Sequence, residues 1–140
     1  MKNSNRYILW AWLPPLLWAS VIFIFSSIPT FPTDTIIWWD FILKKTAHIV
    51  EFGILFILTF RAVNITFGYK TFNKSAAFYV LLFCIIYGAS DEFHQSFTPG
   101  RTPHIRDVGF DTVGALLALW YAKRSTWDYV RTIIYQKGII

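Results

Sequence analysis

The chain has 140 residues, of which 55% are hydrophobic and 15% charged, and its formal net charge is +5 at pH 7. This composition is too apolar for an ordinary soluble domain and indicates a small integral membrane protein. The basic residues flank apolar segments, so the positive charge does not indicate a nucleic-acid-binding protein. The sequence has no glycine-rich phosphate loop or nucleophile elbow and predicts no cofactor.

Four apolar segments predict a single all-α membrane domain, a bundle of four transmembrane helices. The predicted spans are about 8–27, 44–62, 76–95 and 107–122. The first contains Pro14 and Pro15, and a signal peptide is the alternative interpretation for it. We favour a retained helix because no clear cleavage site follows and further apolar segments come after it. The apolar parts of the other three are short, so each must extend into a polar flank.

The distribution of Lys and Arg predicts the topology, because basic residues accumulate on the cytoplasmic side of a membrane. The N-terminus, the second loop and the segment after the fourth span carry most of the 13 basic residues, and the first loop carries none. Both termini are therefore predicted to be cytoplasmic, with the polar flanks of the last three spans outside. Residues 124–137 fit either a helix on the inner leaflet or a continuation of the fourth span.

Ionisable side chains share one face on each of the last three predicted spans. These faces carry Lys44, Lys45, His48 and Glu51 on the second span, Asp91, Glu92, His94 and Gln95 on the third, and Asp107 and Asp111 on the fourth. A lipid-facing charge costs roughly 2.5–3.5 kcal/mol near the midplane, so these faces should turn inward and meet. We therefore predict a shared, water-accessible pocket. Gly114 and Ala118 continue the fourth face and should allow a neighbouring helix to approach closely.

The segment "TPGRTP" between the third and fourth spans predicts a tight turn. Pro99 fixes φ and Gly100 allows a positive φ, which would direct Arg101 back toward the helix ends. A guanidinium group suits a bidentate phosphate or carboxylate partner. The sequence leaves open whether Arg101 binds such a ligand or forms a salt bridge to Asp107 or Glu92.

Two stretches together carry a resemblance to a known family: "KTAHIVEFGIL" and "YGASDEFHQSFTPGRTPHIRDVGFDTVGA". They resemble the VanZ-like family of small bacterial membrane proteins, in which a K-x-x-H motif opens one span and a longer motif crosses an outer loop. The matching positions are Lys45, His48, Glu51, Asp91, Glu92, His94, Gln95, Pro99, Gly100, Arg101, Asp107, Asp111 and Gly114. The resemblance implies a role in the bacterial cell envelope, and one member is linked to low-level teicoplanin resistance. It implies no agreed reaction.

The leading functional interpretation is a pocket on the outer side of the bacterial cytoplasmic membrane that binds or processes an anionic amphiphile. Its partners would be membrane lipids, most simply a lipid-linked phosphate. Lys45 and Arg101 would hold phosphate, while His48, Asp91 and His94 are the candidates for proton transfer. The further candidate binding residues are Glu51, Glu92, Gln95, Asp107 and Asp111.

Three alternatives remain from the sequence. The charged cluster could be a structural network in a non-catalytic envelope factor. It could belong to a small transporter, although no ionisable residue in the inner half of the predicted spans continues a path. His48 and Glu51 with Asp91, Glu92 and His94 could also form a metal site, which the nearby lysines and Arg101 would oppose.

Overall fold

The computed structural model describes residues 2–30, 38–70 and 72–124, and within these ranges all regular secondary structure is helical. The helices are α1 (Lys2–Ser26), α2 (Trp38–Phe67), α3 (Lys74–Gln95) and α4 (Ile105–Arg124). The all-α prediction is confirmed for this part of the chain. Each helix overlaps one predicted span, and α2 extends beyond its span at both ends. The predicted tail helix lies almost entirely outside the described residues.

Three of these helices are long and apolar enough to cross a membrane, over Arg6–Ser26, Phe41–Phe67 and Lys74–Gln95. The protein is therefore a multi-pass membrane protein by the length and composition of its helices. Large apolar side chains lie on the outside of the bundle, and Leu9 on α1 is 70% exposed while Ile86 on α3 is 59% exposed. Water would hydrate such a surface unfavourably, whereas lipid chains would cover it.

The fourth helix has 20 residues and a higher share of charged residues than the other three. It begins with Arg106 and Asp107, carries Asp111 one turn further on, and ends with Lys123 and Arg124. The charges at both ends shorten its apolar stretch, which is why its hydropathy is lower than that of the others. Its acidic residues pair with α2, as described below.

The second helix lies at the centre of the bundle and contacts the other three. Its side chains Phe52, Leu55, Phe56 and Phe60 are at most 1% exposed and form most of the large-residue core. They recur at three- and four-residue spacing, which places them along one side of the helix. This stripe faces the small residues of α4 and the apolar side of α3.

Glycine allows α2 and α4 to cross with their backbones in contact. A Cβ atom added to Gly114 would overlap the backbone carbonyl group of Ile49. A Cβ atom added to Gly53 would lie 3.4 Å from the carbonyl oxygen of Gly114. The predicted close approach at Gly114 is confirmed, and its partner is α2.

Long-range contacts give the direction of the helices. The C-terminal ends of α1 and α3 meet, since the Ser26 hydroxyl group bonds Asp91. The N-terminal ends of α2 and α4 meet at Lys45 and Asp107. These four ends and the loop 96–104 make up what we call the polar end of the bundle. The opposite end includes the hydrogen bond from Trp12 to Thr66.

Candidate functional site

Two ion pairs join α2 to α4 at the polar end. The Lys45 ammonium group contacts Asp107 Oδ1 and lies 5.5 Å from the centres of the Phe41 and Phe110 rings. These rings shield the ammonium group from lipid and add a cation–π attraction. One turn deeper, His48 Nδ1 lies 2.9 Å from Asp111 Oδ1, whose side chain is 1% exposed. The two pairs fix the register of the helices, because each joins residues more than 60 positions apart.

The His48–Asp111 pair also orients the imidazole ring. A carboxylate only accepts hydrogen bonds, so Nδ1 carries the proton that is shared with Asp111. Nε2 makes no hydrogen bond to any described residue, and His48 lines the open cavity of the polar end. The ring is therefore held with Nε2 available to a ligand.

The cavity of the polar end has a volume of about 420 Å³, within the range that small-molecule sites occupy. We call it the polar pocket. Its charged and imidazole-bearing lining residues are Lys44, Lys45, His48, Glu51, Arg101, His104 and Asp107. Apolar side chains, including Phe25 and Ile28, cover the side next to α1. The pocket therefore combines several charged side chains with an apolar wall.

A separate network of hydrogen bonds joins α1 to α3. Asp91 Oδ2 accepts from the Ser26 hydroxyl group at 2.7 Å and from the Gln95 amide at 2.8 Å. His94 Nε2 lies 3.0 Å from the Ser27 hydroxyl oxygen, and its ring stacks on Phe23 at 4.2 Å. The two candidate proton-transfer residues of α3 thus contact α1.

Arg101 makes neither of the salt bridges that the sequence suggested for it. Its guanidinium group donates to the backbone carbonyl oxygens of Phe25 at 2.7 Å and Ile28 at 3.3 Å. Carbonyl groups at a helix C-terminus lack intrahelical partners and attract cations, so Arg101 caps the end of α1. Asp107 and Glu92 are already bonded elsewhere, to Lys45 and to the backbone N–H of His104.

The turn that presents Arg101 has the predicted conformation. Gly100 has φ of 78°, in the left-handed region that favours glycine. A Cβ atom there would overlap the carbonyl oxygen of Thr30, whose hydroxyl group donates to the Gly100 carbonyl oxygen at 2.7 Å. The loop 96–104 is therefore pressed against the segment that follows α1, and it closes one side of the polar pocket.

Some carboxyl oxygens at the polar end have no partner. One oxygen each of Asp91, Glu92 and Asp111 is buried without a hydrogen bond among the described residues. Each of these groups can still hold a proton or accept one more hydrogen bond. Glu51 differs from them because it lines the pocket and is only partly buried. Its carboxyl group has no hydrogen bond or ion pair in the described part of the chain.

The family model described as VanZ/LLP1 matches residues 10–127, which is most of the chain. The chain belongs to the VanZ/LLP1 family. The resemblance carried by the two polar motifs is thereby confirmed. No curated protein and no solved structure matches the chain.

The fold of this VanZ/LLP1 protein brings six of the ten predicted site residues to the polar pocket. They are Lys45, His48, Glu51, Gln95, Arg101 and Asp107. Asp111 lies directly behind His48, so it acts on the pocket through the imidazole ring. Asp91, Glu92 and His94 lie outside the lining. The expectation of a single shared pocket therefore holds for the α2 and α4 faces and for Gln95, while the rest of the α3 face turns toward α1 and the loop.

The sequence motifs did not indicate the part that α1 plays in the VanZ/LLP1 site. Ser26, Ser27 and Thr30 bond Asp91, His94 and Gly100, and the last carbonyl groups of α1 bind Arg101. The available signal was the pair of serines that ends an apolar segment in "FIFSSIPT". Two hydroxyl groups at the end of a span indicate polar partners there.

Among the residues that the structure describes, no three His, Cys, Asp or Glu side chains are placed to hold a metal ion together. The pairing of His48 with Asp111 and of Asp91 with Ser26 and Gln95 explains this separation. The hypothetical ligand set of His48, Glu51, Asp91, Glu92 and His94 is therefore spread over different partners: His48 pairs with α4, Asp91 and His94 bond the end of α1, Glu92 bonds the loop 96–104, and Glu51 lines the pocket.

Proposed function

We propose that the polar pocket binds the phosphate-bearing headgroup of an anionic lipid at the outer face of the bacterial cytoplasmic membrane. The observation that carries this proposal is the set of cationic groups around one amphiphilic cavity, Lys44, Lys45 and Arg101. Binding of a lipid-linked envelope component there would alter the susceptibility of the cell to glycopeptides such as teicoplanin.

The cationic groups of the pocket differ in what they have to offer a ligand. Lys45 is neutralised by Asp107, whereas Lys44 is exposed where it lines the pocket. Arg101 uses Nε and one terminal nitrogen for α1, so its other terminal nitrogen can donate to an anion. Lys44 and Arg101 are therefore the proposed phosphate ligands.

His48 supports a second role for the same site, the transfer of a proton to or from a bound phosphate ester. Asp111 holds the ring so that Nε2 is the free nitrogen, and His48 lines the pocket. An oriented imidazole of this kind is the usual general acid or base of proteins. Asp91 and His94 are less suited to this role because they do not line the pocket and already bond Ser26 and Ser27.

The proposed topology has four spans, with both termini in the cytoplasm and the polar end outside. Position 34 and Arg101 should then be outside, and Lys70 and Lys137 inside. Single-cysteine labelling in intact cells tests this with little background, because the native Cys84 is 1% exposed. If a cysteine at position 70 reacts before the membrane is permeabilised, the orientation is the reverse of the proposed one. The site would then not lie on the outer face.

Binding is tested with the full chain in detergent micelles, by native mass spectrometry with a polyprenyl phosphate and the corresponding polyprenol. We expect the phosphate to bind and the alcohol to bind at least about tenfold more weakly, since charge-assisted hydrogen bonds are lost. Lys44→Gln should weaken phosphate binding about threefold to tenfold. Lys74→Gln, at the opposite end of the bundle, is the matched control and should leave it unchanged. Equal binding of phosphate and alcohol would refute the proposal.

Measuring the amount of folded protein and the phenotype on the same variants distinguishes a structural network from a binding pocket. Arg101→Lys keeps the charge but loses the planar fork, so it should impair phosphate binding and the glycopeptide phenotype more than it lowers thermal stability. Expression, thermal stability and glycopeptide susceptibility are measured on Arg101→Lys, Asp91→Asn and His94→Gln. If every loss of phenotype merely follows loss of folded protein, the charged cluster is only structural.

A further inference from the structure

Glu51 is the charged group of the polar pocket that the proposed phosphate site does not use. It lies one helical turn deeper than His48 on α2 and lines the cavity. Its backbone carbonyl oxygen accepts from Trp18 Nε1 at 2.9 Å, which fixes the helix at this point against α1. Its carboxyl group makes no hydrogen bond or ion pair in the described part of the chain.

The neighbouring cationic groups that the structure describes make their hydrogen bonds elsewhere, so none of them bonds the Glu51 carboxyl group directly. Lys45 is bonded to Asp107, and His48 to Asp111. Arg101 acts on Glu51 through space, but its hydrogen bonds run to α1. A carboxylate that is partly removed from water is stabilised by a donor, and most strongly by a cation. The pocket therefore offers a negatively charged hydrogen-bond acceptor, the Glu51 carboxylate, to a ligand that enters it.

Lys44 and Glu51 place a cationic group and an anionic group at two separate points of the polar pocket. They are seven residues apart, about 10 Å along one face of the helix, and both line the same cavity of about 420 Å³. A lysine side chain at the rim can lean inward by several ångströms. A ligand with an anionic group and a cationic group a few bonds apart can then contact both Lys44 and Glu51.

We infer that the pocket recognises a phosphate ester that carries a primary ammonium group, as in a phosphoethanolamine headgroup. Glu51 binds the ammonium group, and Lys44 with Arg101 binds the phosphate. The phosphate part rests on the proposed function, while the ammonium part rests on Glu51 alone. A simple anionic lipid would contact the phosphate ligands alone and leave Glu51 without a partner, so it should bind more weakly than the ester that carries an ammonium group.

The test is a competition between phosphatidylethanolamine and its N-acetyl derivative with the same chains, on the full-length protein in maltoside micelles. Acetylation removes the positive charge but keeps the phosphate. Native mass spectrometry should show about fivefold to tenfold preference for the free amine, as expected for a charge-assisted pair. The isosteric Glu51→Gln variant should reduce this preference to about unity, whereas Lys44→Gln should weaken both lipids and keep the preference.

The two proposals fail in different ways. If the wild-type protein binds both lipids equally, and better than diacylglycerol, the ammonium site is wrong and the phosphate site stands. If neither phospholipid binds better than diacylglycerol, both are wrong. The wild-type comparison needs no variant, so it holds even if Glu51→Gln does not fold. Soluble phosphoethanolamine and its N-acetyl form distinguish the source, since competition by the free headgroup shows that the lipid chains are dispensable.

Discussion

At the polar end, α4 meets α2 through two ion pairs and a backbone crossing at Gly114, whereas α1 meets α3 through hydroxyl and amide hydrogen bonds. The first interface carries Lys45, His48 and Asp107 of the pocket lining and Asp111, which orients His48. The second carries neutral donors around Asp91. An ion pair in a low-dielectric site leaves an uncompensated charge when one partner is removed, but a hydroxyl donor leaves only an unsatisfied acceptor.

This difference suggests which wall of the pocket is rigid. The α2–α4 wall cannot separate without breaking charge pairs and opening a backbone contact, so it should hold the pocket geometry. The α1 wall is held by individual hydrogen bonds, those of Arg101, the loop 96–104 and Trp18 to backbone carbonyl groups and that of Ser26 to Asp91. On the proposed function, a bulky lipid would enter on the α1 side, because these hydrogen bonds are individually weaker than a buried ion pair.

The largest effect is expected at the α2–α4 crossing. Gly114→Leu should prevent recovery of folded protein, since even a Cβ atom there overlaps the carbonyl group of Ile49. Gly109→Leu on the same helix is the control, because a Cβ atom at Gly109 meets nothing within 4 Å. Its stability should change by less than about 1 kcal/mol. Size-exclusion profiles of both variants in detergent give the comparison, and a well-folded Gly114→Leu would contradict the crossing.

The two ion pairs should differ from each other. Asp111→Asn should lower the free energy of unfolding by about 3 kcal/mol, because its side chain is 1% exposed and its loss leaves His48 unpaired. Asp107→Asn should lower it by about 1 kcal/mol, since that pair is partly open to water. Unfolding in mixed micelles by SDS titration measures both. Equal losses would show that burial does not distinguish the pairs.

The loop should be less sensitive than the buried His48–Asp111 pair. Gly100→Ala should destabilise by about 2 kcal/mol, the sum of a positive-φ penalty and displacement of Thr30. Gly68 also has a positive φ, of 66°, but an added Cβ atom there would meet nothing within 4 Å. Gly68→Ala therefore measures the cost of the positive φ alone, which should be about 1 kcal/mol. The same titration is used. No difference between the two variants would mean that the loop is not pressed against Thr30.

A small effect, no larger than that of Asp107→Asn, is expected in the α1–α3 network. Ser26→Ala removes one neutral donor from Asp91 and should lower stability by about 1 kcal/mol. Ser20→Ala is the control, because Ser20 is exposed and bonds only its own helix at Leu16; its effect should be near zero. A loss from Ser26→Ala as large as that from Asp111→Asn would remove the contrast between the two interfaces.

The local sequence pattern was sufficient to predict the helices and to predict which face of α2 and of α4 turns inward. Asp107, Asp111, Gly114 and Ala118 are all buried on α4, and the predicted face of α2 lines the pocket. Both follow from the 3.6-residue period together with the cost of exposing charge to lipid. The turn at Gly100 was equally local, since "PG" restricts the backbone without help from distant residues.

The pairings were decided by tertiary structure. Helical spacing gives the direction of a side chain but not the identity of the helix opposite it, so Asp91 could not be assigned to Ser26 from sequence. Arg101 reaches the carbonyl groups of α1 because the loop crosses the end of that helix, and backbone carbonyl groups have no sequence signature. The unpaired state of Glu51 likewise follows only from where Lys45 and His48 find their partners.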